Sequence, residues 1–189
     1  DKNLLNTLTS IDFSIQREGE EAFTALVENK DPKIIPGVIS RGKDKLINTG
    51  IAPVIKDIDN LPLPEKEKFW GIPESERKNV DVSYICTIRG CPYKCTYCNS
   101  PSNNTLYKDQ GAGSFHRKKS VKRVAEELEF MVKTQNPEFI YFVVDTFLAM
   151  GDRELEEFSE MYQSFRIPFW QNTRAETVNE WRGEQLEKM

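Results

Sequence analysis

Apolar and polar residues alternate along Ile11-Asp12-Phe13-Ser14-Ile15, the period-2 mark of a strand. Just before it, Leu4, Leu5 and Leu8 suggest the end of a helix. Gly19-Glu20-Glu21 then opens a helix with Ala22, Phe23, Leu26 and Val27 on one face, ending near Asn29 before Pro32. Residues 37–49 read as a hairpin, with Val38-Ile39-Ser40 and Lys45-Leu46-Ile47 flanking a turn at Arg41-Gly42-Lys43-Asp44. In Ile58-Asp59-Asn60-Leu61-Pro62-Leu63-Pro64 two prolines fix φ and favour an extended strap. Residues 65–79 are charged, with Phe69 and Trp70 as packing anchors.

The rhythm changes at Val80. Val82 to Ile88 is rich in β-branched and aromatic residues and reads as one strand. Cys86 within it reads as a small buried hydrophobe rather than a ligand. Asn99 to Gly113 is polar and turn-rich. Ser120 caps an amphipathic helix that turns Val121, Val124, Leu128 and Met131 inward, opposite Glu126, Glu127 and Glu129. Phe139 to Val144 is nearly continuous apolar sequence, as expected of a parallel strand covered on both faces. Asp152 caps a second helix with Leu155, Phe158, Met161, Tyr162 and Phe165 inward, and a third strand follows at Ile167–Gln171. Thr177-x-x-Glu180 reads as a capping box that starts a third helix. Three β-α units imply parallel strands in a barrel-like sheet, with the active face at the strand C-termini. The pattern stops inside a helix, so the chain is expected to be a piece of a longer one, prone to aggregate through its open sheet edge.

Composition narrows the class. The chain has 189 residues, 38% hydrophobic and 30% charged, which is globular and sufficient for a core. A net charge of −4 argues against a dedicated nucleic-acid binder. No apolar run is long enough for a membrane span, and no signal peptide opens the sequence. Four cysteines, three of them clustered, suit a reducing cytosol better than a disulfide scaffold. His116 is the only histidine and reads as a surface or packing residue.

The chemistry concentrates in Cys91-Pro92-Tyr93-Lys94-Cys95-Thr96-Tyr97-Cys98. Three thiols fall short of the four closed ligands of a structural zinc site, unless Cys86 completes one. They also differ from ferredoxin spacings, which supply four thiolates per cluster. Three thiolates can hold three irons of a [4Fe–4S] cube and leave the fourth open to a substrate; unrelated buried thiols are the remaining alternative.

Cys-x3-Cys-x-aromatic-Cys, with Tyr97 as the aromatic, resembles the cluster loop of the radical S-adenosylmethionine (radical SAM) superfamily. Arg17-Glu18-Gly19-Glu20-Glu21-Ala22 resembles the Gly-Glu-Gly-Glu turn that closes the cobalamin-binding domain in one subgroup, with Glu18 replacing the first glycine. The Asp-x-Leu-Pro-x-Pro strap resembles the segment joining those two domains. The resemblance implies an α/β fold: residues 1–36 ending a cobalamin-binding Rossmann-like domain, 37–79 a hairpin and linker, and 80–189 an incomplete (β/α) TIM-like barrel. It implies a [4Fe–4S] cluster on Cys91, Cys95 and Cys98, and S-adenosylmethionine cleaved to a 5′-deoxyadenosyl radical. Gly90 lets the backbone approach the cluster closely, and Tyr97 takes the place beside the adenine. Arg117 aligns with an arginine before the first barrel helix, and Asp145-Thr146-Phe147 resembles the strand-end contact to the methionine amino group. Asn172 and Arg174, at the next strand's rim, complete the cofactor-contact candidates; no catalytic residue is assigned.

The implied reaction is cobalamin-dependent methylation or rearrangement of a small or lipid-like metabolite, in the cytoplasm, fed by an external electron donor such as flavodoxin or ferredoxin. Radical methylthiolation of tRNA or protein, and a non-catalytic iron–sulfur electron-transfer module, are the alternatives. The intact protein is expected to use cobalamin, whereas these 189 residues alone are expected not to retain it.

Overall fold

A computed structural model describes residues 2–65 and 80–189. The anchors Phe69 and Trp70 lie outside the described residues. The chain folds as two compact units, Asp1–Lys56 with Pro101–Phe115, and Asp57–Ser100 with His116–Met189.

In the first unit, β1 (Phe13–Ile15), β2 (Val38–Arg41) and β3 (Leu46–Asn48) form an antiparallel sheet in that order. Ser14 pairs with Ile39 and Ser40 with Ile47, so the expected hairpin is present. Two helices, α1 (Lys2–Thr7) and α2 (Glu20–Val27), accompany it. α2 buries Ala22, with Ala25 and Leu26 partly buried, against Ile35 and Val38. Phe23 and Val27 are exposed, contrary to the sequence expectation. An eight-residue helix covers only a narrow stripe, and positions 22, 25 and 26 fill it while 23 and 27 lie one row aside. Gly37 takes a left-handed φ of 84°, and a Cβ there would meet the Ala52 Cβ at 2.8 Å.

Asn99 to Gly113 contains a helix, α3 (Ser100–Asp109), where polarity alone suggested turns. Tyr107 is buried with Val54 and Ala112 and stacks on Phe115 at 5.5 Å between ring centres. The Val54 N–H donates to the Ala112 carbonyl at 2.8 Å. Tertiary burial of one aromatic side chain here outweighs weak helix propensity.

The second unit is built on a parallel sheet of β4 (Val82–Ile85), β7 (Phe139–Phe142) and β8 (Phe169–Gln171), in that order. Its helices are α4 (Val121–Gln135), α5 (Asp152–Tyr162) and α6 (Glu180–Lys188). Parallel strands with helical crossovers were expected; among the described residues the sheet has three strands and does not close into a barrel. Phe142 sits at the centre of the core, its ring 5.1 to 5.8 Å from those of Phe147, Phe158, Tyr162 and Phe169. Each buried aromatic ring adds apolar area and edge-to-face attraction.

Five expectations are corrected here. The strand drawn through Ile88 ends at Ile85, and Cys86 is exposed, its Sγ 3.3 Å from the Ile88 carbonyl. The chain resumes as β5 (Ile88–Arg89), which pairs antiparallel with β6 (Arg117–Lys118), a partner no local pattern announces. Among the described residues one face of the parallel sheet is buried, through Ser83, Ile85, Ile140 and Phe142, while the other is exposed at Val82 and Tyr84 and half-buried at Phe139 and Tyr141. Tyr84, Tyr141 and Trp170 are register partners on the other face, with ring centres 5.8 and 4.9 Å apart. Finally, Gly151 rather than Asp152 occupies the N-cap of α5, and Asn179 rather than Thr177 caps α6, accepting from the Arg182 N–H at 2.8 Å. Thr177 instead closes a 3-10 turn with the Arg174 carbonyl.

Ser120 caps α4 as expected, its Oγ accepting from the Arg123 N–H at 3.1 Å. The strap is attached to this same end. Asp59 accepts from the Ser120 N–H at 3.0 Å, and Arg123 donates to the Leu61 carbonyl. Glu127, with its side chain 4% exposed, pairs with Lys119 at 2.7 Å and Arg123 at 3.3 Å. No helix among the described residues is long and apolar enough to cross a membrane.

Candidate cofactor site at the strand ends

The cysteine loop leaves β5 at Gly90, whose φ of 75° turns the backbone where a side chain would be strained. Cys91 is buried, and its Sγ lies 3.8 Å from Thr146 Oγ1, just beyond β7. Thr146 donates to the Asp145 carbonyl at 2.8 Å, while the Asp145 side chain is exposed. The Phe147 N–H donates to the Asn172 carbonyl at 2.8 Å, joining the ends of β7 and β8. Asn172 also donates from Nδ2 to the Tyr141 hydroxyl at 3.1 Å.

Cys95 is half-buried and meets Arg174, which donates to its Sγ from Nη1. The Arg174 guanidinium lies 4.5 Å above the centre of the Tyr93 ring and pairs with Glu176. Tyr97 is 92% exposed, and a hydrogen bond to Cys95 pushes its phenol above the ordinary tyrosine range. Cys98 is exposed; its Sγ accepts from the Ser100 N–H at 3.4 Å, and its own N–H donates to the Cys95 carbonyl at 3.1 Å. Hydrogen bonds from Ser100 lower the Cys98 thiol below its usual range, because they favour the thiolate.

The structure thus brings Thr146 to the first thiol and Arg174 and Tyr97 to the second. Arg117 is buried in β6, paired across the ribbon with Arg89, two residues before Cys91. Tyr93, Ser100 and Glu176 also take part and were not picked out from the sequence. Tyr93 sits inside the loop and Glu176 two places beyond Arg174, so closeness along the chain was the available signal. The Tyr84–Tyr141–Trp170 row was legible only as aromatic residues at alternate strand positions. Cys86 opens onto a cavity of about 390 Å³ lined by Leu61, Pro62, Tyr84, Arg89 and Phe130.

Among the described residues, no three His, Cys, Asp or Glu side chains stand in metal-holding geometry. The donor chemistry fits a three-thiolate centre nonetheless. Three thiols share one short loop, one is favoured as thiolate by N–H and O–H donors, and a guanidinium points at another.

In fold the chain resembles solved cobalamin-dependent radical SAM enzymes. No family model matches it. Its fold matches the radical S-adenosylmethionine methyltransferase TsrM from Kitasatospora setae, solved with cobalamin and a [4Fe–4S] cluster bound. The TM-score is 0.65 at 18% identity, covering 99% of this chain and 38% of that one. An uncharacterized methyltransferase from Pyrococcus horikoshii is 28% identical over 175 residues, 90% of this chain and 36% of that protein. Anaerobic magnesium-protoporphyrin IX monomethyl ester cyclase from Cereibacter sphaeroides is 25% identical over 171 residues, 84% of this chain and 26% of its own length. The chain therefore spans well under half of the curated relatives it matches.

Proposed function

We propose that this chain carries the cluster and S-adenosylmethionine site of a radical SAM enzyme. The whole protein then uses cobalamin in methyl transfer or rearrangement of a small or lipid-like substrate. The carrying observation is the loop itself: Cys91, Cys95 and Cys98 lie within eight residues, and Thr146 and Arg174, which follow the parallel strands β7 and β8, reach Cys91 and Cys95. A relative described as a methyltransferase supports methyl transfer, and one described as a magnesium-protoporphyrin IX monomethyl ester cyclase supports a reaction on a small molecule.

Cys91, Cys95 and Cys98 would hold a [4Fe–4S] cluster, which when bound would supply one electron to the sulfonium of S-adenosylmethionine, giving methionine and a 5′-deoxyadenosyl radical. Arg117 offers a cation to a carboxylate, Asp145 offers an anion to an amino group, and Arg174 is engaged with Cys95 and Glu176. Thr146 fixes the strand end that presents Asp145, and Asn172 orients the Tyr141 hydroxyl. Exposed Tyr97 offers a ring face to an adenine. An external donor such as a flavodoxin or ferredoxin delivers the electron.

Anaerobic reconstitution of the intact protein is expected to load about four irons. With a low-potential reductant and S-adenosylmethionine it should release 5′-deoxyadenosine. Alanine at Cys91, Cys95 or Cys98 should abolish both. A loaded cluster without 5′-deoxyadenosine would favour an electron-transfer module, and loss of iron in Cys86→Ser would restore the four-thiolate site.

A further inference from the structure

The three thiols have unlike neighbours. Cys91 faces a neutral hydroxyl and Cys98 a backbone N–H, but Cys95 faces a full positive charge. That charge is held firmly. Arg174 follows β8, seventy-nine residues from Cys95 in sequence, and reaches the loop at two points, the Tyr93 ring face and the Cys95 sulfur. Its remaining edge is taken by Glu176, with Nε donating to Oε1 at 2.7 Å. A planar guanidinium fixed by a ring, a carboxylate and a sulfur keeps one orientation, which a flexible ammonium would not.

We propose that Arg174 is a positioning residue that sets the redox poise of the metal centre on this loop, with Glu176 opposing it. The inference rests on the reading of the loop as a cluster site. Adding an electron to a thiolate-bound cluster increases negative charge on its sulfurs. A cationic hydrogen-bond donor at one sulfur stabilises that reduced state and raises the potential. The Glu176 carboxylate partly neutralises the same guanidinium, so it lowers the potential. An arginine that merely clipped the rim of β8 to the loop would give no such pair of opposite effects.

The test is potentiometric titration of the reconstituted intact protein, followed by electron paramagnetic resonance, with iron content measured alongside. Arg174→Gln should keep its iron and lower the ratio of reduced to oxidised cluster at a fixed potential about tenfold, a shift of about 59 mV for a one-electron couple. Glu176→Gln should shift the potential the other way. Arg174→Lys, keeping the charge without the fork, should fall between wild type and Arg174→Gln. Unchanged potentials, or shifts of the same sign in Arg174→Gln and Glu176→Gln, would overturn the proposal. If Arg174→Gln loses iron, a positive shift in Glu176→Gln still supports it and a null or negative one refutes it. Wild-type protein that binds no iron would defeat the cluster reading itself, and the iron count separates that failure from a failure of tuning.

Discussion

Thr146 Oγ1 lies 3.8 Å from Cys91 Sγ, and both residues are buried. One hydroxyl thus links the end of β7 to the first thiol of the loop while donating to the Asp145 carbonyl. Thr146→Val keeps the shape and removes the hydroxyl. The expected loss is about 1 kcal/mol of unfolding free energy, measured by urea denaturation. Weaker binding of S-adenosylmethionine should accompany it, and an unchanged affinity would remove Thr146 from the cofactor site.

The thiols differ in access, which chemistry can read directly. In cluster-free protein, Cys86 and Cys98 should react first with a thiol reagent such as dithionitrobenzoate, and buried Cys91 last. Cys86→Ser should remove one fast-reacting thiol and leave the iron content unchanged. Slow modification of Cys86 would restore the buried strand position that the sequence suggests.

Glu127, nearly two turns into α4, is the anion between two cations, Lys119 and Arg123. Removing one member of a buried ionic group leaves the others uncompensated and costs about 3–5 kcal/mol. Glu127→Ala is therefore expected to be severely destabilising in chemical denaturation. Asp59→Ala, which deletes only an acceptor for the Ser120 N–H, should cost about 1 kcal/mol. Equal effects from the two would contradict the geometry.

Tyr162 is fully buried, and its hydroxyl donates to the Ile167 carbonyl at 2.8 Å. Burial pushes its phenol well above the ordinary tyrosine range, since the phenolate cannot be solvated there. A raised folded pKa favours the native state fully at pH below the unfolded value of about 10, and that contribution is lost as pH rises above it. Tyr162→Phe should cost about 1 kcal/mol at neutral pH through the lost hydrogen bond. It should also flatten the fall of stability between about pH 10 and 12, monitored by circular dichroism. An identical alkaline profile in the variant would show that Tyr162 ionises freely in the folded protein.

What the sequence determined by itself lies in short-range physics. The hairpin of β2 and β3, the Ser120 cap of α4, the β7 strand and the Cys91–Cys98 spacing all depend on residues within one or two turns of each other. Periodicity, capping chemistry and thiol spacing report such neighbours faithfully. Tertiary structure decided the rest, because each remaining feature depends on a partner far along the chain. β4 stops at Ile85, and β5 then pairs with Arg117–Lys118, nearly thirty residues on. α3 forms because Tyr107 is buried beside Val54. Parallel register brings Tyr84, Tyr141 and Trp170 together on one face, although each strand alone shows only an aromatic residue at an alternate position. Arg174 meets Cys95 because the ends of parallel strands share one rim of the sheet, whatever their separation in sequence.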